Sequence, residues 1–393
     1  MLSLDQWILS PTLAVYGLYD SNLYSSPTNP VRGPGLHIHP ALSADYNTGI
    51  FETTLYGNID STIYPTLNFI NNTFNRNAGV IQKYWPLRDL VFTVQGDYTH
   101  STNANVLINS LPTPLGSPGS PPPPGAAGVV GIPQTVVNPN DTYTAQATIY
   151  KEFNRAFVRL NGSLATTIFE QNSAQNYNTA TYNGNGGFWI TSQFYAFGDG
   201  IQSFNNPETG TPQNSFRARG GIGSAQIGQF SGFVYYGTQG TEVNGDGKAS
   251  GDIYGGAISY FPTAVWNMSL AVDRLRNVSD ITQGGGLGLG GLPFVPVGVS
   301  SSGSLQVTTI TYSTNYTFSP QTSAYLLVSY SLGEIFGPPT LRTDSWYADF
   351  GITHRILDDL TLKFDYRYTQ FVSPTPQTSL TRNLISLGAE YSF

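Results

Sequence analysis

Residues 384–393 read LISLGAEYSF, and the reading of this stretch decides the fold. Ile385, Leu387, Ala389, Tyr391 and Phe393 fall on one face of an extended strand, while Arg382, Ser386, Gly388, Glu390 and Ser392 fall on the other. Successive strand side chains point to opposite sides, so one face is greasy and one is wet. The greasy face continues to the last residue, whereas the final residues of a soluble domain usually fray in water. The chain end is therefore expected to be built into the fold.

The same two-step rhythm recurs along the chain. In LHIHPALSADYN, Leu36, Ile38, Pro40, Leu42, Ala44 and Tyr46 alternate with His37, His39, Ser43, Asp45 and Asn47. After the turn Thr48–Gly49, Phe51, Leu55, Ile59 and Ile63 share a face that excludes Glu52, Tyr56, Asn58, Asp60 and Thr62. Near the end, Leu360, Leu362, Phe364, Tyr366 and Tyr368 oppose Thr361, Lys363, Asp365, Arg367 and Thr369. Alternation this sustained predicts strands with one polar and one apolar face.

Composition says where the apolar face goes. Charged residues are only 10% of the chain, against roughly 25% in soluble domains. That is too little charge for an ordinary water-facing surface. No run of about 18 apolar residues is present, so membrane helices are not expected. The mean hydropathy of −0.15 fits strands whose lipid-facing and lumen-facing residues cancel. Aromatic residues reach 13%, and Trp7, Tyr98, Trp266, Trp346, Tyr366, Tyr368, Tyr391 and Phe393 fall near strand ends with outward parity. Rings collect at membrane interfaces, where one edge is wet. A β-sandwich would also alternate, but its outer faces and edges need charge that this chain lacks.

The connectors alternate in length. Tight ones are expected at Thr48–Gly49, Pro86–Asp89, Phe153–Arg155, Thr191–Gln193, Ile227–Gln229, Pro262–Thr263, Ser319–Gln321 and Leu357–Asp359. Between them lie longer polar connectors such as SSPTNPVRGPG and NNPETGTPQN. The pattern predicts an all-β, transmembrane, antiparallel up-and-down barrel of about 18 strands (16–18), as one domain over residues 1–393. Short turns would lie in the periplasm and long loops outside the cell. Two nearly uncharged connectors, residues 102–141 and 277–303, exceed the rest. They are expected to fold into the barrel mouth, to cap it against a neighbour, or to stay on the surface.

LISLGAEYSF resembles the C-terminal signature of Gram-negative outer-membrane proteins, with a terminal Phe preceded by alternating apolar residues. The resemblance implies that Ile385, Leu387, Ala389, Tyr391 and Phe393 form a signal read by the barrel-assembly machinery. The strand–turn–strand pattern of NYTFSPQTSAYLLVSYS and ISYFPTAVWNMSLAVDRL is similar to that of β-barrel porins of proteobacteria. Such families imply passage of solutes or exopolysaccharide across the outer membrane. Residues 1–17 show no export signal in order, so an outer-membrane protein of this sequence is expected to have lost it upstream.

Parity sorts the charged side chains. Glu52, Asp60, Asp97, Arg159, Arg217, Arg219, Asp273, Asp349, Lys363, Asp365, Arg367, Arg382 and Glu390 are predicted inward, because a charge facing lipid at mid-depth costs about 2–4 kcal/mol. There they could line a water-filled channel and set its selectivity, or lock together as an interior ion-pair network. About 18 strands leave a lumen too wide for side chains alone to fill, which favours the channel. Its wall of Ser, Thr, Asn, Gln and Tyr, with inward Tyr56, Phe233 and Tyr347, suits saccharides. The alternative is a non-conducting barrel whose two long loops anchor a surface or periplasmic partner. Lipid and lipopolysaccharide are expected neighbours, with a homo-oligomer or a secretion partner as further possibilities.

Other constellations point to less. His37 and His39 share a strand face at a spacing that could ligate a metal, but no third ligand is identifiable from the sequence, so neither metal nor cofactor is expected. Asn244–Lys248 (NGDGK) has too few ligands for a calcium loop and reads as a turn. GGGLGLGG lacks the strand and helix that a phosphate loop needs. His37 and His39 adjoin no serine motif, and His100 and His354 have outward parity, so catalysis is not expected. The net charge of −7 without a basic stripe argues against nucleic acid. With no cysteine, disulfides and thiolate chemistry are excluded.

Overall fold

A computed structural model describes residues 2–4, 7–23, 29–65, 72–102, 139–170, 173–243, 247–277, 304–336, 341–372 and 379–393. The long connectors 102–141 and 277–303 lie almost wholly outside these residues, as do GGGLGLGG and most of NGDGK. A short β1 (Leu2–Leu4) precedes eighteen long strands. The first nine are β2 (Trp7–Asp20), β3 (Gly33–Asn47), β4 (Phe51–Ile63), β5 (Thr73–Leu87), β6 (Leu90–Ser101), β7 (Asn140–Glu152), β8 (Ala156–Phe169), β9 (Tyr177–Trp189) and β10 (Phe194–Pro207). The others are β11 (Gln213–Ile227), β12 (Phe230–Val243), β13 (Gly247–Thr263), β14 (Trp266–Asn277), β15 (Ser304–Ser319), β16 (Thr322–Phe336), β17 (Leu341–Arg355), β18 (Leu360–Val372) and β19 (Leu380–Ser392). Among the described residues the only helix is the turn Ser173–Gln175.

Each long strand pairs antiparallel with its neighbours in sequence, and β19 pairs with β2 from Leu384↔Asp20 to Ser392↔Thr12, closing the ring. The fold is therefore an eighteen-strand antiparallel β-barrel. The last backbone amide, on Phe393, donates to Pro11 O at 3.0 Å. Beyond that point β1 continues the ladder on β2, with Leu4 opposite Trp7 and Leu2 opposite Leu9. Closure removes the unpaired edge that would otherwise be intolerable in lipid.

Most of the long strands carry exposed apolar side chains on one face, as with Leu13, Val15, Leu55, Val94, Leu160, Val234, Ile258 and Leu387. Aromatic pairs band this face at two levels. The lower band includes Trp7–Tyr46 at 5.2 Å, Phe51–Tyr84 at 4.6 Å and Phe230–Tyr260 at 4.7 Å between ring centroids. The upper band includes Tyr98–Tyr143 at 5.2 Å and Tyr330–Trp346 at 4.7 Å. On β10 the two levels are marked by Phe194 and Phe204. Ten residues of a strand tilted about 40° rise about 25 Å, the height of an outer-membrane apolar band. The opposite face is the concave one. There Tyr325 of β16 reaches past β17 to donate to Asp365 of β18 at 2.8 Å.

The tight connectors lie within two residues of where expected, and one is displaced as a whole. Pro262 belongs to β13, and the turn is Ala264–Val265, flanked by the pair Thr263↔Trp266. The register slips between Tyr260 and Thr263, so the proline, which has no N–H to give the ladder, sits at an irregularity that needs none. Pro86 occupies the same kind of slip between Tyr84 and Leu87 before the next turn. Gly49 turns β3 into β4 at φ 87°, a conformation that favours glycine. Farther round, β12 and β14 approach each other across β13. A Cβ on Gly255 would lie 2.6 Å from Val272 O, and one on Gly256 would lie 2.5 Å from Phe233 O. These two glycines let the wall bend sharply at β13.

Candidate functional site in the lumen wall

The concave face carries the candidate site, since eighteen strands about 4.8 Å apart and tilted about 40° wrap a circle about 35 Å across. All thirteen charged residues singled out above project from this face by strand parity. Glu52 and Asp60 stand on β4, Asp97 on β6, Arg159 on β8, Arg217 and Arg219 on β11, and Asp273 on β14. Asp349 stands on β17, Lys363, Asp365 and Arg367 on β18, and Arg382 and Glu390 on β19.

Most of these charges are paired across neighbouring strands, so an interior ion-pair network and a wide lumen coexist. Near the tight turns, Lys83 donates to Glu52 at 2.7 Å and Lys363 to Glu390 at 2.6 Å. At mid-height, Asp199 of β10 accepts from Arg219 and, at 3.4 Å, from Arg217. The Arg219 guanidinium lies 4.6 Å over the Tyr235 ring. A second knot forms on β16–β18, where Asp349 accepts from Tyr325 at 3.2 Å, Tyr347 at 2.8 Å and Arg367 at 3.0 Å. Toward the long-loop end, fully buried Asp20 accepts from Arg382 Nε at 3.0 Å. Other charges have no ion-pair partner of opposite sign among the described residues. Asp365 accepts from Tyr325, and buried Asp273 leaves its Oδ1 without a hydrogen bond. Asp97 accepts only from Gln95 at 2.9 Å, and the exposed Arg159 lies 5.3 Å over Tyr150 without an acidic partner.

Three members of these knots were not legible as site residues. Asp199 sits in FGDGI, where flanking glycines remove the apolar alternation that marks a face; counting from the turn at Thr191–Gln193 would have recovered its parity. Asp20 ends AVYGLYD and Lys83 precedes an aromatic pair, so neither carries a motif. Between the knots the wall is hydroxyl and amide. Thr309–Ser331 and Thr311–Ser329 meet at 3.0 and 3.2 Å, Thr181–Ser203 at 2.8 Å, and Asn161 donates to Thr148 at 2.7 Å. Large apolar side chains also face inward and are buried, among them Ile253, Val307 and Phe371, the last packed with Leu380. All four lie in the half of their strands nearer the long connectors.

The imidazoles of β3 meet the carboxylate of β4. His37 Nε2 lies 3.1 Å and His39 Nδ1 3.6 Å from Asp60 Oδ2. Asp60 supplies a third group that the sequence alone did not join to the histidines. On the outer face, His100 Nδ1 lies 2.9 Å from Asp141 Oδ1, which also accepts from Tyr98 at 2.8 Å.

Residues 201–393 match the outer membrane protein β-barrel domain family. No curated protein sequence matches the chain. Among solved structures, a BenF-like porin from Pseudomonas fluorescens Pf-5 superposes with a TM-score of 0.54 at 10% identity, covering 99% of this chain and 100% of that one. OccAB3 from Acinetobacter baumannii gives 0.51 at 14% identity over 98% and 99%. The FrpB iron transporter of Neisseria meningitidis (F5-1 variant) gives 0.54 at 9% identity over 99% and 82%. At these identities the likeness is one of fold. With its closed eighteen-strand ring and its apolar outer wall banded by aromatic rings, the chain folds as a transmembrane β-barrel whose residues 201–393 match the outer membrane protein β-barrel domain family.

Proposed function

We propose that the protein is a passive channel of the Gram-negative outer membrane for small hydrophilic solutes, and that it favours neutral hydroxylated ones such as saccharides. The lumen wall carries this reading. Its charges are mostly neutralised in pairs, so they project a weak net field, while its hydroxyl and amide groups offer donors and acceptors to a passing sugar. Secreted polysaccharide is a larger cargo of the same chemistry. The chain acts as one domain, in contact with lipid and lipopolysaccharide, and no step of this function calls for catalysis. Single-channel recording in planar bilayers tests it. A steady conductance that added oligosaccharide blocks supports a saccharide path. Conductance indifferent to oligosaccharide leaves a general pore.

A second reading rests on Ile253, Val307 and Phe371. Buried apolar side chains on a lumen face indicate a bore narrowed toward the extracellular side. In that reading the barrel conducts little and anchors a partner. Silent bilayers, with the protein verified as folded, would favour it.

A further inference from the structure

We propose that His37, His39 and Asp60 form a divalent-cation site in the lumen wall, with zinc as the ion that fits best. The donor atoms of the three side chains lie within 4.8 Å of one another. A tetrahedral zinc with ligands at about 2.0–2.1 Å holds its donor atoms about 3.3 Å apart. The two observed separations from Asp60, 3.1 and 3.6 Å, bracket that value. Rotation of the imidazoles would close the remaining gap between them.

The backbone explains why the three groups meet. His39 and Asp60 lie equally far from the centre of the hairpin, between Gly49 and Ile50, and the register Ile38↔Ser61 and Ala41↔Asn58 sets them opposite each other. No ladder pairing is made at His39 and Pro40 on this side, because Pro40 has no N–H to donate. His37 is one alternation away on the same face, so its ring reaches Asp60 diagonally. On the other flank His39 pairs with Ala14, whose small side chain is buried.

The chemistry favours a borderline ion. Two imidazoles and one carboxylate suit zinc, copper or nickel, whereas calcium and magnesium require a shell of oxygens. Water from the lumen would complete the fourth position. One nitrogen also calls for a partner. His37 Nε2 is buried and makes no hydrogen bond, although Asp60 is 3.1 Å away. A metal would satisfy that nitrogen and both acceptors together. The outer cluster of His100, Asp141 and Glu170 also gathers three ligand types. It offers a single imidazole, and its Asp141 already accepts from Tyr98, so it serves as the internal control.

The test is a calorimetric titration of the purified, chelator-stripped barrel in detergent with zinc, paralleled by cobalt absorption in the visible. One zinc per chain and tetrahedral cobalt bands are expected. Affinity should fall at least ~10-fold in His39→Asn and in Asp60→Asn and stay unchanged in His100→Asn. Heat-modifiable electrophoretic mobility verifies that each variant forms a barrel. The unmodified protein gives a second measurement that needs no variant. Zinc should protect His37 and His39, but not the outward His354, from diethyl pyrocarbonate. Absence of saturable binding, absence of protection, or loss of binding only in His100→Asn would overturn the site. None of these readouts requires the barrel to conduct.

Discussion

Asp20 of β2 and Arg382 of β19 hold each other across the seam where the first and last long strands meet, with Arg382 Nε 3.0 Å from Asp20 Oδ2. The Asp20 side chain is fully buried, and Asn22 adds a bond from its side-chain amide to Thr381 O at 3.2 Å. The strands joined here are distant in sequence, so closure depends on contacts that no hairpin turn supplies. Removing one partner of a buried pair leaves an uncompensated charge, at a cost of about 3–5 kcal/mol. Arg382→Met is therefore expected to lower the temperature at which the folded electrophoretic form is lost. The double change Asp20→Asn with Arg382→Met should recover part of that loss. Equal loss in the single and double variants would show that packing, and not the charge, holds the seam.

The inside–outside assignment can be tested with two adjacent residues. Leu160 of β8 is exposed on the apolar face, and Asn161 points into the lumen beside Thr148. An arginine on the lipid face near mid-depth costs about 2–4 kcal/mol, whereas lumen positions tolerate charge. Leu160→Arg should reduce folding yield into lipid vesicles and lower resistance to urea, while Asn161→Arg should leave both close to the parent. Equal damage at both positions would sink the assignment.

The strand spans were legible because the bilayer forces every strand to divide its residues between lipid and lumen. That pressure makes a period of two visible without any motif, as in residues 36–47 and 360–370. It also made the inward parity of the thirteen charges readable. Their partners were harder to see. Pairing depends on register, and register depends on local slips such as those at Pro86 and Pro262, where a one-residue error turns a side chain to the other face. The His39–Asp60 meeting needs residues 36–63 folded about Gly49–Ile50; folding about the turn the sequence marks, Thr48–Gly49, sets His39 opposite Asn58 instead. The ties between Arg382 and Asp20, or between Tyr325 and Asp365, have no such local signal. They arise only once the ring is closed and curved.

Phe393 links the chain end to the first long strand. Its amide bonds Pro11 O, and its ring stands 4.7 Å from Tyr391. If residues 385–393 serve as an assembly signal, deletion of Phe393 should reduce the folded protein in the outer membrane several-fold in cells. Refolding of the purified chain in detergent should change much less. An equal loss in both settings would mean that Phe393 acts through stability and is not read during assembly.

Paired and unpaired lumen charges should behave differently toward ions. Glu52 and Lys83 face each other at 2.7 Å, so their fields largely cancel beyond the pair. Arg159 is exposed and has no acidic partner among the described residues, so its charge acts on the lumen directly. If the barrel conducts, Arg159→Ala should move the reversal potential in a salt gradient toward greater cation preference. The exchange Glu52→Lys with Lys83→Glu should hardly move it. The effect of Arg159→Ala should also shrink as salt rises, because screening shortens from about 10 Å at 0.1 M to about 3 Å at 1 M. A shift insensitive to salt would point to a change in pore shape. A larger shift from the exchanged pair would mean that the wall's charges are not neutralised where they meet.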